Sequence, residues 1–315
     1  MKRNINILFL GGAKRVSMAR KFKDAAAARG LCCGIFSYEM SLVEAIACEA
    51  TVVEGLKWKD PEADADLRRV IAENSIDIVI PFVDGAVAPA ARLRDVAFVP
   101  AGSAENAALM FDKIRAAEAF ESEGLPIPAT YHPGDPCMRL IAKPRFGSAS
   151  QGIVEINSLD VLDRFLDRAD DYLIQERIDN REEYTVDCYV RTDSGEILTV
   201  SPRRRLQVSG GEVTKTVTVD SPKIVELTRA VLIRLGLRGA VTVQFMRDLD
   251  DDRLLLMEVN PRLGGGAVCS VCAGADLPGL IIDEALGREA CPSEAQPGVF
   301  IARYQDETVF YPEKK

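Results

Sequence analysis

The chain has 315 residues, 47% hydrophobic and 28% charged, which excludes a disordered tail or a collagen-like repeat and leaves room for two domains or one large α/β unit. Its 39 Lys and Arg stand against 48 Asp and Glu, a net charge of −9. Non-specific nucleic-acid binding, which needs many basic contacts to phosphate, is therefore not expected, and an anionic ligand must meet a local cluster of positive charge. The single histidine, His132, lies in a turn-like stretch beside Pro133 and Gly134, so two-histidine zinc sites are excluded and Ser-His-Asp or Cys-His chemistry is not expected.

The first hundred residues alternate strand-like and helix-like runs. Ile5–Leu10 is a short apolar strand ending in Gly11-Gly12, and Val16–Arg29 is an Ala- and Lys-rich helix. Leu31–Ser37 and Ala50–Glu54 read as strands, Glu62–Asn74 as a helix with apolar spacing at Leu67, Val70 and Ile71, and Ile76–Pro81 as a fourth buried strand. Strands that are apolar throughout and alternate with helices predict a parallel sheet covered on both faces. The N-terminal run is too short and too polar for a signal peptide, and no stretch approaches the ~18 apolar residues of a membrane span.

Beyond Pro100–Gly102 the pattern changes. Phe111–Ser122 reads as a helix stopped by Gly124-Leu-Pro-Ile-Pro128. Antiparallel hairpins follow: Tyr184–Thr192 with Ile197–Ser201, and Ala240–Arg247 with Arg253–Val259, with helices at about 158–168 and 223–235. The fold class is thus a parallel α/β domain followed by an α+β part. Eight cysteines are scattered along the chain, several in apolar runs. Cys269 and Cys272 form a lone C-x-x-C with no second pair, read as packing, and the usage suits a reducing cytoplasm.

The residues richest in chemistry lie in Val243–Arg262. Glu258 and Asn260 are two apart on a strand and share a face. If Asp250–Asp252 is a three-residue loop, Gln244 lies opposite Glu258, and three oxygen-bearing side chains converge as Mg²⁺ requires. Leu256 would share that face. Asp248, Asp250 and Asp252 imitate a calcium loop, but Arg253 stands where that loop needs Gly, so they read as a solvated turn. Upstream, Lys143 ends a strand and leads into Pro-Arg-Phe-Gly147-Ser148-Ala-Ser150-Gln-Gly152. Such a loop can close backbone N–H groups and hydroxyls on phosphate, with Lys143 as the point charge, although it is no Walker loop. Gln175-Glu176, Ile178 and Glu183 follow on strand ends where a carboxylate could meet a ribose and backbone groups an adenine edge. Arg203–Arg205 and Lys215 make a basic island, and Arg262 precedes a glycine run.

In this order, Phe111-Asp-Lys113, Lys143 with its loop, Gln175-Glu176, Glu183–Asp187, Gln244 and Glu258-Val-Asn260-Pro-Arg262 resemble the ATP-grasp superfamily. Within it, Gly12–Val16, Ile80–Asp84 and Arg205–Lys215 are similar to one ATP-grasp unit of the carbamoyl-phosphate synthase large subunit. The resemblance spans about residues 5–290. It implies a pre-ATP-grasp α/β domain over 1–100 and an ATP-grasp domain over 101–315. The latter would hold a smaller lobe at about 125–178, a larger lobe at about 179–290 and a C-terminal strand segment at 297–311. Lys113, Lys143, Gly147, Ser148 and Ser150 would meet ATP phosphates or the adenine pocket, Glu176 and Ile178 the adenine, and Glu183 the ribose. Gln244, Glu258 and Asn260 would hold Mg²⁺, or Mn²⁺ in its place. Arg262, with Arg204 and Lys215, would serve the transferred phosphoryl group. Ala149 stands where many relatives have Gly.

The implied reaction is ADP-forming activation of a carboxylate for attack by an amine or ammonia. Its partners are small molecules, with no nucleic acid and no membrane, and dimers are common among similar proteins. Two other readings compete: an ATP-binding regulatory protein of the same fold without turnover, and a dinucleotide oxidoreductase with Glu39 on the ribose. The second lacks the G-x-G-x-x-G turn.

Overall fold

The computed structural model describes residues 4–135, 139–147 and 151–311. Cys137, Ser148, Ala149 and Ser150 lie outside them. The chain opens with β1 (Asn4–Leu10), α1 (Val16–Ala28), β2 (Cys32–Glu39), β3 (Thr51–Glu54), α2 (Ala63–Glu73), β4 (Ile78–Pro81) and α3 (Asp84–Ala91). The four strands form a parallel sheet in the order β3-β2-β1-β4, as the apolar runs predict. Alternation along β1 divides its side chains. Ile5, Ile7 and Phe9 pack with Phe22 of α1, while Leu8 and Leu10 pack with Leu67, Val70 and Ile71 of α2.

Two helices follow where the sequence predicts one: α4 (Ala104–Phe111) and α5 (Lys113–Ser122). Asp112 breaks the run. Its backbone is extended (φ −91°, ψ 99°), and its carboxylate caps α5 through the Arg115 N–H at 3.3 Å. The same carboxylate is forked by Arg145, with Nε and Nη2 at 2.9 and 2.7 Å.

A three-stranded antiparallel sheet, β6-β5-β7, is built from β5 (Leu140–Pro144), β6 (Val154–Ile156) and β7 (Tyr172–Glu176), with α6 (Leu159–Leu166) between β6 and β7. The remaining chain supplies β8 (Arg181–Val190), β9 (Ile197–Ser209), β10 (Glu212–Thr218), α7 (Pro222–Arg234), β11 (Gly239–Asp248), β12 (Leu254–Asn260), α8 (Ala267–Cys272), α9 (Leu277–Ala285) and β13 (Phe300–Ala302). These strands form a six-stranded sheet, β12-β11-β8-β9-β10-β13. The C-terminal strand is shorter than the 297–311 segment expected, because only Phe300–Ala302 pairs with β10.

One face of β8, carrying Tyr184, Val186, Cys188 and Val190, packs with Phe120, Val231 and Val243. The opposite face carries Glu183, Thr185 and Asp187 and turns toward the site. Leu277, Leu280 and Ile281 of α9 pack in one cluster with Phe22 of α1 and Tyr189 of β8, tying the parallel sheet to the large one.

Gly239 sits at a second junction. Its φ is +75°, and a Cβ there would lie 2.4 Å from the backbone of Pro100 and Ala101. The Ala240 N–H donates to Pro100 O across the same seam at 2.9 Å. Gly239→Ala is expected to cost about 2–4 kcal/mol, combining a left-handed backbone with backbone overlap. Thermal unfolding reads this as a fall in Tm, and an unchanged Tm would count against so close a seam.

Among the described residues no helix is long and apolar enough to cross a membrane. Cys269 is buried and Cys272 exposed on α8, both as free thiols. His132 is exposed, and its backbone N–H donates to Asp135 in a turn.

Candidate active site

The large sheet arranges its polar face in rows. Register aligns Arg203 (β9), Thr185 (β8), Gln244 (β11) and Glu258 (β12) across four strands, with Ser201, Asp187, Thr242 and Asn260 in the next row. Gln244 stands opposite Glu258 as expected, but by a different route. The turn after β11 is closed by Asp248 N–H to Arg253 O at 2.8 Å, one residue longer than supposed. A β-bulge between Gln244 and Phe245 then pairs Phe245 with Leu256, and the extra residue restores the register. The bulge also corrects the placement of Leu256. It packs into the core with Val243 and Phe245, while Met257 turns to join Ile178, Met246 and Leu255.

Two cavities meet on this face. The larger, about 750 Å³, lies between the small sheet, α5 and the large sheet, and the smaller, about 290 Å³, lies between the large sheet and the parallel domain. Arg205, Gln244 and Glu258 wall both.

The larger cavity is apolar at one end, where Ile178, Met246 and Met257 line it, and cationic elsewhere through Lys113 and Lys143. Lys143 leaves the end of β5 and donates from Nζ to Gln175 Oε1 at 2.8 Å, and Gln175 is held in turn by Pro128 O at 3.1 Å. Burial pulls the Lys143 ammonium down to about 8; Glu258 opposes that drop and Lys113 adds to it. Lys113 Nζ rests on Gly147 O at 2.7 Å, while its own N–H donates to Arg145 O at 3.0 Å. The glycine loop is thus moored to the start of α5. Glu183 receives Arg181 Nε at 3.1 Å and Arg205 Nη1 at 3.2 Å.

The side chain of Glu176 is engaged elsewhere. Its carboxylate takes both Arg253 Nη atoms, at 2.8 and 3.0 Å, and the Ala129 N–H at 2.9 Å. Contact with a nucleobase from this segment therefore falls to the backbone of 176–178. Arg253 also pairs with Asp248 and Asp251, so the acidic turn is knit to the small sheet rather than simply solvated.

In the smaller cavity Arg262 lies against Asp84 at 2.5 Å, and its Nη2 donates to Asn260 Oδ1 at 3.3 Å. Arg15 and Arg203 complete the wall with Gly264, Gly265 and Gly266. The glycines are needed there. A Cβ on Gly265 would stand 3.0 Å from Arg15 Nη1, and one on Gly266 2.8 Å from Arg203 Nη2.

Of the basic island, strand alternation turns Arg203 and Arg205 toward Glu258, whereas Arg204 shares the other face with Tyr184 and pairs with Glu182 at 2.5 Å. Arg204 still reaches the rim of the larger cavity, but Lys215 is exposed and lines neither. Arg15, Asp84 and Arg203 went unselected in the sequence. The alternation of β9 could have singled out Arg203, but nothing local marks Arg15 or Asp84.

Among the described residues no three His, Cys, Asp or Glu cluster to hold a metal. The set at hand is one carboxylate, Glu258, with the amide oxygens of Asn260 and Gln244, and Gln244 Oε1 already accepts from Arg205 at 3.2 Å. Such a set fits a hard cation that arrives with phosphate oxygens and water, and not one caged by protein. Glu39 offers no dinucleotide site. It is buried, accepts from Ser37 Oγ at 2.6 Å and is hydrogen-bonded to the Gly12 backbone, so it fills the glycine turn itself.

Known structures share this architecture. N5-carboxyaminoimidazole synthetase from Staphylococcus aureus superposes with a TM-score of 0.72 at 16% identity, covering 94% of this chain and 81% of that one. The biotin carboxylase domain of Hydrogenobacter thermophilus 2-oxoglutarate carboxylase, solved with MgADP and bicarbonate, gives 0.74 at 15%, covering 94% and 73%. L-amino acid ligase from Bacillus licheniformis gives 0.68 at 18%, covering 91% and 75%. Residues 168–307 match the model of a family described as ATP-grasp in the biosynthetic pathway with Ter operon. The chain has an ATP-grasp fold. No curated protein matches its sequence. In ATP-grasp terms the larger cavity lies between the two antiparallel sheets that name the fold, and the smaller one opens toward the parallel domain.

Proposed function

We propose that the chain is an ATP-dependent ligase that activates a carboxylate as an acylphosphate for attack by an amine or ammonia. The observation that carries this reading is the meeting of two unlike cavities at Glu258, Gln244 and Arg205. One has the size and polarity of a nucleotide slot, and the other is small, polar and lined by arginine. Its likeness to a single carbamoyl-phosphate synthase unit belongs to the same proposal.

In this reading the adenine enters the slot of Ile178, Met246 and Met257 and is read by the backbone of 176–178. Glu183 faces the ribose. Lys143 and Lys113 take the phosphates, and the loop at Gly147 closes over them to exclude water. Glu258 and Asn260 would hold Mg²⁺, with Gln244 beside them; bound there, the ion neutralises charge on the β- and γ-phosphates. Arg262, fixed by Asp84 and Asn260, and Arg205 face the transferred phosphoryl group from the acceptor side. The carboxylate oxygen attacks the γ-phosphorus in line and ADP leaves. The amine then attacks the acyl carbon and phosphate leaves, so no protein nucleophile is required.

The test is ADP release from Mg-ATP across pools of small carboxylates, amino acids, bicarbonate and ammonia. Stimulation by one pool supports the ligase. ATP binding with no stimulation by any pool favours a regulatory ATP-binding protein, and protection against unfolding by NAD(P) instead of ATP would overturn both.

A further inference from the structure

The smaller cavity holds more positive charge than one reacting carboxylate needs. Arg262 and Arg205 stand at the end shared with the larger cavity, and Arg15 and Arg203 line the rest. The acids around it are already committed. Asp84 is taken by Arg262, and Glu212 is bracketed by Arg15 at 3.2 Å and Arg303 at 3.1 Å. Asp187 lies behind Arg203, which it meets at 2.8 Å, and also takes Ser270 Oγ at 2.6 Å. Glu258, the remaining acid of the wall, belongs to the transfer centre. No carboxylate is left to hold an ammonium group.

The arginines, by contrast, keep donors in hand. Arg203 is 2% exposed, yet its Nη1 has no hydrogen-bond partner, and neither has Arg15 Nε. A buried guanidinium N–H left unpaired is costly and calls for an anionic acceptor. Gly265 and Gly266 leave room for both guanidinium groups, where any side chain would collide with them. At about 290 Å³ the cavity has room for about ten waters, or a four- to six-carbon acid.

We infer that the carboxylate substrate is a small dicarboxylate: one acid group is activated beside Glu258 and Arg262, and the other is anchored by Arg15 and Arg203. This rests on the ligase reading above. It excludes amino-acid zwitterions, whose ammonium would find no partner, and simple monocarboxylates, which would leave both guanidinium groups unmet.

The experiment traps the acylphosphate with hydroxylamine, which attacks the acyl carbon, expels phosphate and leaves a hydroxamate, so the natural amine need not be known. Succinate, glutarate and adipate are compared with butyrate, valerate and 4-aminobutyrate under Mg-ATP, and glutarate binding is measured separately by calorimetry with ADP and Mg²⁺ present. The expected result is hydroxamate formation with a dicarboxylate at kcat/KM at least about tenfold above its monoanionic and zwitterionic counterparts. Arg203→Lys should bring that ratio toward one, mainly through KM. Should that variant fail to fold, Arg15→Gln, at the cavity mouth, carries the same expectation. Equal or better turnover of a monocarboxylate or a zwitterion overturns the inference and leaves the ligase standing. Glutarate binding with no hydroxamate from any acid overturns the ligase and keeps the site. Neither binding nor hydroxamate overturns both.

Discussion

Replacing Glu258 by Ala is expected to reduce ADP release by about 10³-fold or more, the scale of losing a group that organises charge in a phosphoryl-transfer site. Glu258 is the one carboxylate on the wall common to both cavities. Among the described residues it has no hydrogen-bond or ion-pair partner, so the fold does not depend on it. The variant should therefore melt at or above the wild-type temperature while losing turnover. Glu258→Gln keeps an oxygen but removes the charge, and should raise the Mg²⁺ concentration for half-maximal activity by about tenfold or more. Steady-state ADP release over a Mg²⁺ titration checks both variants. A Glu258→Ala enzyme with wild-type turnover would remove the transfer centre from this place.

Lys143→Met should lower kcat/KM for ATP by about 10²-fold and also change its pH dependence. The ammonium of the free protein titrates near 8 because burial disfavours its charge. Below pH 8 it is charged and meets phosphate. Above pH 8 the neutral amine dominates, and ATP affinity should fall toward about tenfold per pH unit. The Met variant should bind ATP weakly with no such slope. The stability effect has the opposite sense. A folded-state value below the unfolded ~10.4 means that the charged lysine penalises the fold below pH 8, a penalty lifted progressively between 8 and 10.4. Lys143→Met should therefore be more stable than wild type at pH 7. Equilibrium ATP binding between pH 6.5 and 9.5, with melting curves at the same pH values, tests both statements.

Much of this site was legible because its signals are local. Glu258 and Asn260 share a face by strand alternation alone, and Lys143 followed by a Gly/Ser loop is a phosphate signature wherever a strand ends so. The parallel sheet could be read from β1 to β4 because strands covered on both faces must be apolar at every position. The errors are also instructive. Phe111 to Ser122 is periodic enough for one helix, but Asp112 is drawn out of it by Arg145, 33 residues on. Gln244 and Glu258 are paired as expected only because a longer turn and a β-bulge compensate each other, and the same bulge turns Leu256 into the core.

By itself the sequence determined the order of elements, the carboxylate and amide oxygens of the transfer centre, and the lysine and loop for phosphate, since each depends on neighbours a few positions away. Only the tertiary structure decided what surrounds them. Arg15 and Asp84 arrive from the parallel domain, 197 and 178 positions from their partners Glu212 and Arg262. Arg253 reaches Glu176 across 77 and leaves the base-reading to backbone. Which arginine of the basic island faces the reaction was settled by β9 pairing with β8, which turns Arg203 and Arg205 inward and Arg204 away. Charge carries no record in sequence of what it will be paired with. Its role is fixed by distance and burial, and these exist only once the sheets have packed.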